Sequence, residues 1–142
     1  MARGASDAGM RPVIALIGDS TFLHSGVTGL IDAVASNTDM TLVIMANEVV
    51  AMTGGQTTLL PSSRLAALVA GLGVDPAHCH VLDAHPRRVA ENAAVLRREI
   101  EHRGLSVVIS VRECIETART RKKQARERQQ AGARAAGAEV AP

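Results

Sequence analysis

The chain has 142 residues, a formal net charge of +2, one Phe and neither Tyr nor Trp. That length and apolar content suit one domain with one core, and so few aromatic rings disfavour a surface that stacks nucleic-acid bases. The two cysteines, Cys79 and Cys114, form no Cys-x-x-Cys pair, no apolar run approaches a bilayer span, and the opening Met-Ala-Arg-Gly-Ala-Ser is no signal peptide, so a reduced, cytoplasmic protein with no membrane contact is expected.

Residues 1–11 are small and polar and read as a leader. The short β-branched run over residues 12–17 predicts a strand buried on both faces, closed by Gly18-Asp19-Ser20. Val27, Leu30, Ile31 and Val34 recur at helical spacing, and residues 40–45 form the next buried strand. Residues 61–73 predict a short helix started by Pro61, capped by Ser62 or Ser63, cored by Leu65, Leu68, Val69 and Leu72, and stopped by Gly73. Residues 78–83 read as an edge strand. A helix over 86–103 follows, with Val89, Ala93, Leu96 and Ile100 as its apolar stripe and Arg87, Arg88, Glu91, Arg97, Arg98, Glu99 and Glu101 as a mostly solvated face. Gly104 ends that helix and residues 105–111 make a last buried strand. The alternation predicts an α/β fold, a mostly parallel sheet with helices on both faces.

Two buried strands joined by a crossover helix place ligands at their carboxyl ends. There Asp19 and Asn47 would stand side by side. A carboxylate, an amide oxygen and a nearby backbone carbonyl form a hard, all-oxygen set suited to Mg²⁺. Ser20 and Thr21 lead into a helix, where free N–H groups favour a diphosphate, and Gly54-Gly55 lets the loop after Asn47 approach a ligand closely. The plain alternative for Gly-Asp after a strand is a turn. Ser25 suits a helix cap, and His24 suits either a polar role at the helix mouth or proton transfer. His78, Cys79, His80, Asp83 and His85 invite a zinc reading. Strand alternation sets His78 and His80 on one face and Cys79 on the other, which makes a shared tetrahedral site awkward, and incidental histidines on an edge strand are the simpler account. Cys114 has no adjacent base and reads as a structural thiol.

Gly18-Asp19 followed by Asn47 resembles the magnesium–diphosphate motif of thiamine diphosphate enzymes. The strings GDSTFLHSGVTGLIDAV and NEVVAMTGGQ resemble one branch of them, the α-subunit of indolepyruvate ferredoxin oxidoreductase and its 2-oxoacid:ferredoxin oxidoreductase relatives, and LSVVISVREC extends the likeness more loosely, over roughly residues 4–115. The resemblance implies Mg²⁺ held by Asp19, Asn47 and the backbone carbonyl of Val49. It places Gly18, Ser20, Thr21 and the Thr53-Gly54-Gly55 loop against thiamine diphosphate, Met52 towards the thiazolium or substrate, and His24 as a candidate catalytic residue. It implies a diphosphate-binding domain over residues 1–115 that lacks the fold's first strand and helix, with residues 1–11 corresponding to the end of a helix. Residues 116–142 would be a basic helical or disordered tail holding no cluster-ligating cysteines. The glutamate that contacts the aminopyrimidine lies, in such enzymes, on a pyrimidine-binding domain, so Glu48 is not assigned that role. A partner subunit carrying that domain is expected, with ferredoxin or an iron–sulfur subunit as a further partner. The implied reaction is oxidative decarboxylation of a 2-oxo acid to acyl-CoA. The alternatives are a split non-oxidative decarboxylase or carboligase, and a catalytically inert scaffold.

Overall fold

The computed structural model of the chain describes residues 1–47, 49–50, 56–112, 119 and 123. In chain order these form a short helix α1 (Ala2–Asp7), strand β1 (Ile14–Gly18), and a helical segment made of α2 (Asp19–Thr21), a π-turn (Phe22–Gly26) and α3 (Val27–Ala35). Strand β2 (Met40–Ala46) and a small antiparallel ribbon, β3 (Val49–Val50) with β4 (Gln56–Thr57), follow. Then come α4 (Ser62–Gly71), a 3₁₀ turn (Pro76–His78), β5 (Cys79–Asp83), a second 3₁₀ turn (Pro86–Arg88), α5 (Val89–Glu101) and β6 (Leu105–Val111). Positive φ at Gly73 (+98°) and Gly104 (+124°) turns the chain out of α4 and into β6.

The main sheet is parallel throughout, in the order β1-β2-β6-β5. Side chains alternate across it. On one face Leu42, Ile44 and Ala46 of β2 and Leu105, Val107 and Ile109 of β6 pack with Phe22, Leu30, Ala33, Leu65 and Val69 from the helices between β1 and β5, and Ala2 of α1 joins them. On the other face Val43 and Val108 lie beneath Ala93 and Leu96 of α5. A parallel sheet with helices on both faces is therefore present, as the alternation of elements predicts.

Several local expectations change. Ile14 (44 % exposed) and Leu16 (68 %) lie bare on the α5 face of β1, which is an edge strand, so β1 is covered on one face and not on both. Ile31 and Val89 point outward, whereas Ala33 takes a core position in α3. Pro61 itself is the residue preceding α4, and neither Ser62 nor Ser63 caps it through its side chain.

The largest departure is Glu99. It sits in a run of charged residues, yet it is 2 % exposed. Its Oε2 accepts from Ser106 Oγ (3.0 Å) and His78 Nδ1 (2.9 Å), and its Oε1 from His80 Nε2 (2.8 Å) and Arg98 Nε (3.0 Å). An ionised carboxylate only accepts, so His78 must donate through Nδ1–H and His80 through Nε2–H. His78 also stacks on His102, with ring centroids 3.5 Å apart. The backbone carbonyl of Glu99 accepts from Thr41 Oγ1 at 3.0 Å, so one residue fastens the last turns of α5 to β2, β5 and β6. Burial alone would push the Glu99 carboxyl up from its ordinary 4.5. The hydrogen bonds from His78, Arg98, Ser106 and His80 outweigh burial and bring it down to about 2.

Because this folded-state value is depressed, the stabilisation is complete above about pH 4.5 and is lost as pH falls towards about 2. Glu99→Gln, which leaves donors facing an amide, should cost about 2–3 kcal/mol at neutral pH. Urea denaturation at pH 7 and pH 3 checks this: the gap between native and variant chains should narrow at the lower pH.

Candidate functional site

The pairing of β1 with β2 sets Gly18 beside Met45, so both chains leave the sheet at one rim. Asp19 begins α2 directly after β1, and Asn47 follows β2 by a single residue step. Asp19 is 3 % exposed. Its Oδ1 accepts the N–H of Ser20 at 2.7 Å and its Oδ2 accepts the N–H of Asn47 at 3.0 Å. The carboxylate thus bridges the two strand ends. Backbone donors orient it, which is how a rim holds a charged group in one place before a ligand arrives.

Ser20 is half-buried and Thr21 exposed, both in the first helical turn after the strand. His24 and Ser25 fall inside the π-turn and are exposed, not at a helix start. The Ser25 hydroxyl donates to the Thr21 carbonyl (3.3 Å), so it serves an interior carbonyl instead of capping the helix. The backbone of Val49 lies in β3, opposite Thr57. Met52, Thr53, Gly54 and Gly55 lie outside the described residues, as do Glu48 and Cys114.

In chemical type, the oxygen donors on these strand ends suit a magnesium–diphosphate group. A carboxylate and an amide side chain stand on adjacent strand ends, and a backbone segment turns back just beyond them; all offer hard oxygen. Away from this rim the histidines have other work. His78 and His80 face Glu99, Asp83 Oδ1 accepts the N–H of His85 (3.1 Å), and His85 Nδ1 accepts the N–H of Arg87 (3.2 Å). Among the described residues no group of three His, Cys, Asp or Glu is placed to hold a metal. Cys79 packs against the opposite face, where burial pushes its thiol up.

Two features escaped the reading of the sequence. One is the Glu99 cluster, for which no periodic signal exists. The other is the π-turn over Phe22–Gly26, for which the sequence offers no distinct signal, since Leu23 and Val27 keep ordinary helical spacing on the core side.

A family model described as thiamine pyrophosphate enzyme, C-terminal TPP binding domain, matches residues 1–110. Among curated proteins, the chain is 37 % identical over 112 residues to indolepyruvate oxidoreductase subunit IorA of Archaeoglobus fulgidus, covering 72 % of this chain and 17 % of that one. It is 31 % identical over 122 residues to the subunit of the same name from Methanothermobacter thermautotrophicus, covering 79 % and 19 %. The chain therefore spans under a fifth of the length of these relatives. In fold it is similar to a Mycobacterium smegmatis protein assigned as a thiamin diphosphate-dependent enzyme (TM-score 0.54, 22 % identity), covering 79 % of this chain and 20 % of that one.

Asp19→Ala should strand the amides of Ser20 and Asn47 and lower stability by about 1–3 kcal/mol without changing the fold. The shift in urea midpoint, with an unchanged far-ultraviolet circular dichroism spectrum, checks it.

Proposed function

Because the chain belongs to the thiamine pyrophosphate enzymes, as a C-terminal TPP binding domain, we propose that it holds the Mg²⁺–diphosphate end of thiamine diphosphate in a 2-oxoacid oxidoreductase. The observation that carries the reading is the Asp19 carboxylate bridging the ends of two adjacent parallel strands beside Asn47. Asp19, Asn47 and the Val49 carbonyl would hold the metal. Gly18, Ser20 and Thr21, at the entry to the helical segment, would face the diphosphate, where the helix dipole favours negative charge. Met52 and the Thr53-Gly54-Gly55 loop would border the thiazolium. His24, exposed in the π-turn, is the candidate to carry a proton.

When bound, the cofactor supplies the electron sink for loss of CO₂ from a 2-oxo acid. The protein's part is to fix the cofactor through its charged end, so that binding energy spent there orients the reacting ring. The branch of the family is inferred from the indolepyruvate oxidoreductase subunits, at 30–37 % identity. The resemblance of the strings around Asp19 and Asn47 to the indolepyruvate ferredoxin oxidoreductase branch extends the reading to acyl-CoA as product, with electrons passed to ferredoxin. The reading calls for a pyrimidine-binding part and an iron–sulfur acceptor within the working complex, in the cytoplasm. Among the described residues no helix is long and apolar enough to cross a membrane. The bare Ile14, Leu16 and Met45 on one face of β1 and β2 support an assembly, since parallel sheets are ordinarily covered on both faces.

The test is recovery of the tagged chain with its partners from native lysate, followed by titration with thiamine diphosphate and Mg²⁺. Saturable, Mg²⁺-dependent binding is expected, together with iron in the recovered complex. A complex that lacks iron yet releases CO₂ would move the reading to a non-oxidative decarboxylase; a chain that binds nothing would overturn it. Asp19→Asn and Asn47→Ala should each abolish Mg²⁺-dependent binding, and unchanged affinity in both would sink the metal assignment.

A further inference from the structure

Gly26 closes the π-turn in helical backbone, with φ −79° and ψ −24°. Any residue adopts that conformation, so no backbone demand calls for glycine, and glycine inside a helix is destabilising relative to alanine. Space explains it. A Cβ at position 26 would stand 2.8 Å from Ile17 Cδ1 and 2.9 Å from Phe22 Cδ2, closer than real contacts allow. Phe22 is fully buried in the core and has nowhere to retreat. Gly29, three residues further on, has nothing within 4 Å of a Cβ, so a side chain is unwelcome at position 26 in particular and not along the whole helix.

The two side chains in question flank Asp19 in the chain: Ile17 lies two residues before it and Phe22 three residues after. The geometry points to Gly26 as the positioning residue of the Asp19 corner. Its bare Cα lets Ile17 of the strand and Phe22 of the helix close on each other. That closure holds the carboxylate where its two oxygens meet the amides of Ser20 and Asn47. The assignment of this corner to a metal–diphosphate site rests on the function proposed above; the positioning does not. A side chain at position 26 meets both arms of the corner; Ile17 can swing its terminal methyl aside, but the buried Phe22 ring cannot, so the strain falls on the turn that carries Asp19.

Amide hydrogen exchange in the full chain, without cofactor, tests this directly. In Gly26→Ala the amides of Ser20 and Asn47 should exchange at least ten times faster, while those of Val107 and Ile109 in the central strand keep their protection. Ile17→Val removes the methyl that meets the new Cβ, so Gly26→Ala/Ile17→Val should recover part of the lost protection, and Gly29→Ala should leave all four amides unchanged. Unaltered Ser20 and Asn47 protection in Gly26→Ala would overturn the inference. If that variant does not fold, Gly26→Ala/Ile17→Val compared with Ile17→Val gives the same decision. In the recovered complex, titration with Mg²⁺ and thiamine diphosphate should show at least tenfold weaker binding for Gly26→Ala and native affinity for Gly29→Ala. A native chain that binds neither would count against the proposed function, and the exchange result would still decide the role of Gly26.

Discussion

The constraint on which the rest depends is the register of β1 on β2. With Gly18 beside Met45, the next residues of both strands reach the rim together, and the Asp19 carboxylate spans the gap to the Asn47 amide. A slip of one residue would turn every side chain of β1 to the other face and carry Asp19 away from its partner. β2 is also held from its other side. Its pairing with β6 runs from Met40 opposite Leu105 to Ala46 opposite Val111, and the N–H of Arg112 donates to the Ala46 carbonyl (2.9 Å) just before Asn47. The amide side of the corner is thus fixed by the strand in the middle of the sheet, and its carboxylate side by the closely packed turn from strand to helix.

The two faces of the sheet are stabilised by different means. The face beneath α3 and α4 is a conventional apolar core, filled by branched residues of β2 and β6 and plugged by Phe22. The face beneath α5 carries Thr41 and Ser106 among its apolar residues, and the helix is tied down there by Glu99. Breaking such a buried, fully hydrogen-bonded charge is costly, because the donors around it are left without an acceptor in the interior. It also fixes which way α5 lies, since only one rotation of the helix brings its carboxylate to His78, His80 and Ser106 together.

How much of this was legible in the sequence varies by element. The strand from Leu105 to Val111 was readable in full, because a short run rich in Val and Ile after a glycine stop has one plain interpretation. The juxtaposition of Asp19 and Asn47 was readable for a related reason: each lies two residues beyond a short apolar run, 12–17 or 40–45. Strand order was not, since nothing local says that β5 passes beyond β6 before the chain returns. Glu99 was misplaced because charge is a good guide to exposure only when no buried partners wait; those partners came from β5 and β6, at distances of 19 and 7 residues along the chain. The bare face of β1 was hidden for the opposite reason: apolar composition reports what a residue prefers and not what covers it.

The Glu99 cluster lies at the amino ends of β2, β5 and β6, and the Asp19 corner at the carboxyl end of β1, so these two polar assemblies occupy opposite ends of one sheet. Groups that far apart with no shared partners contribute independently. Loops at the carboxyl rim can therefore change in length and sequence while the tie that secures α5 goes on undisturbed. In evolutionary terms this separates the part of the chain free to diversify from the part that must be inherited intact. A library randomised at the rim would be expected to keep a high proportion of folded members.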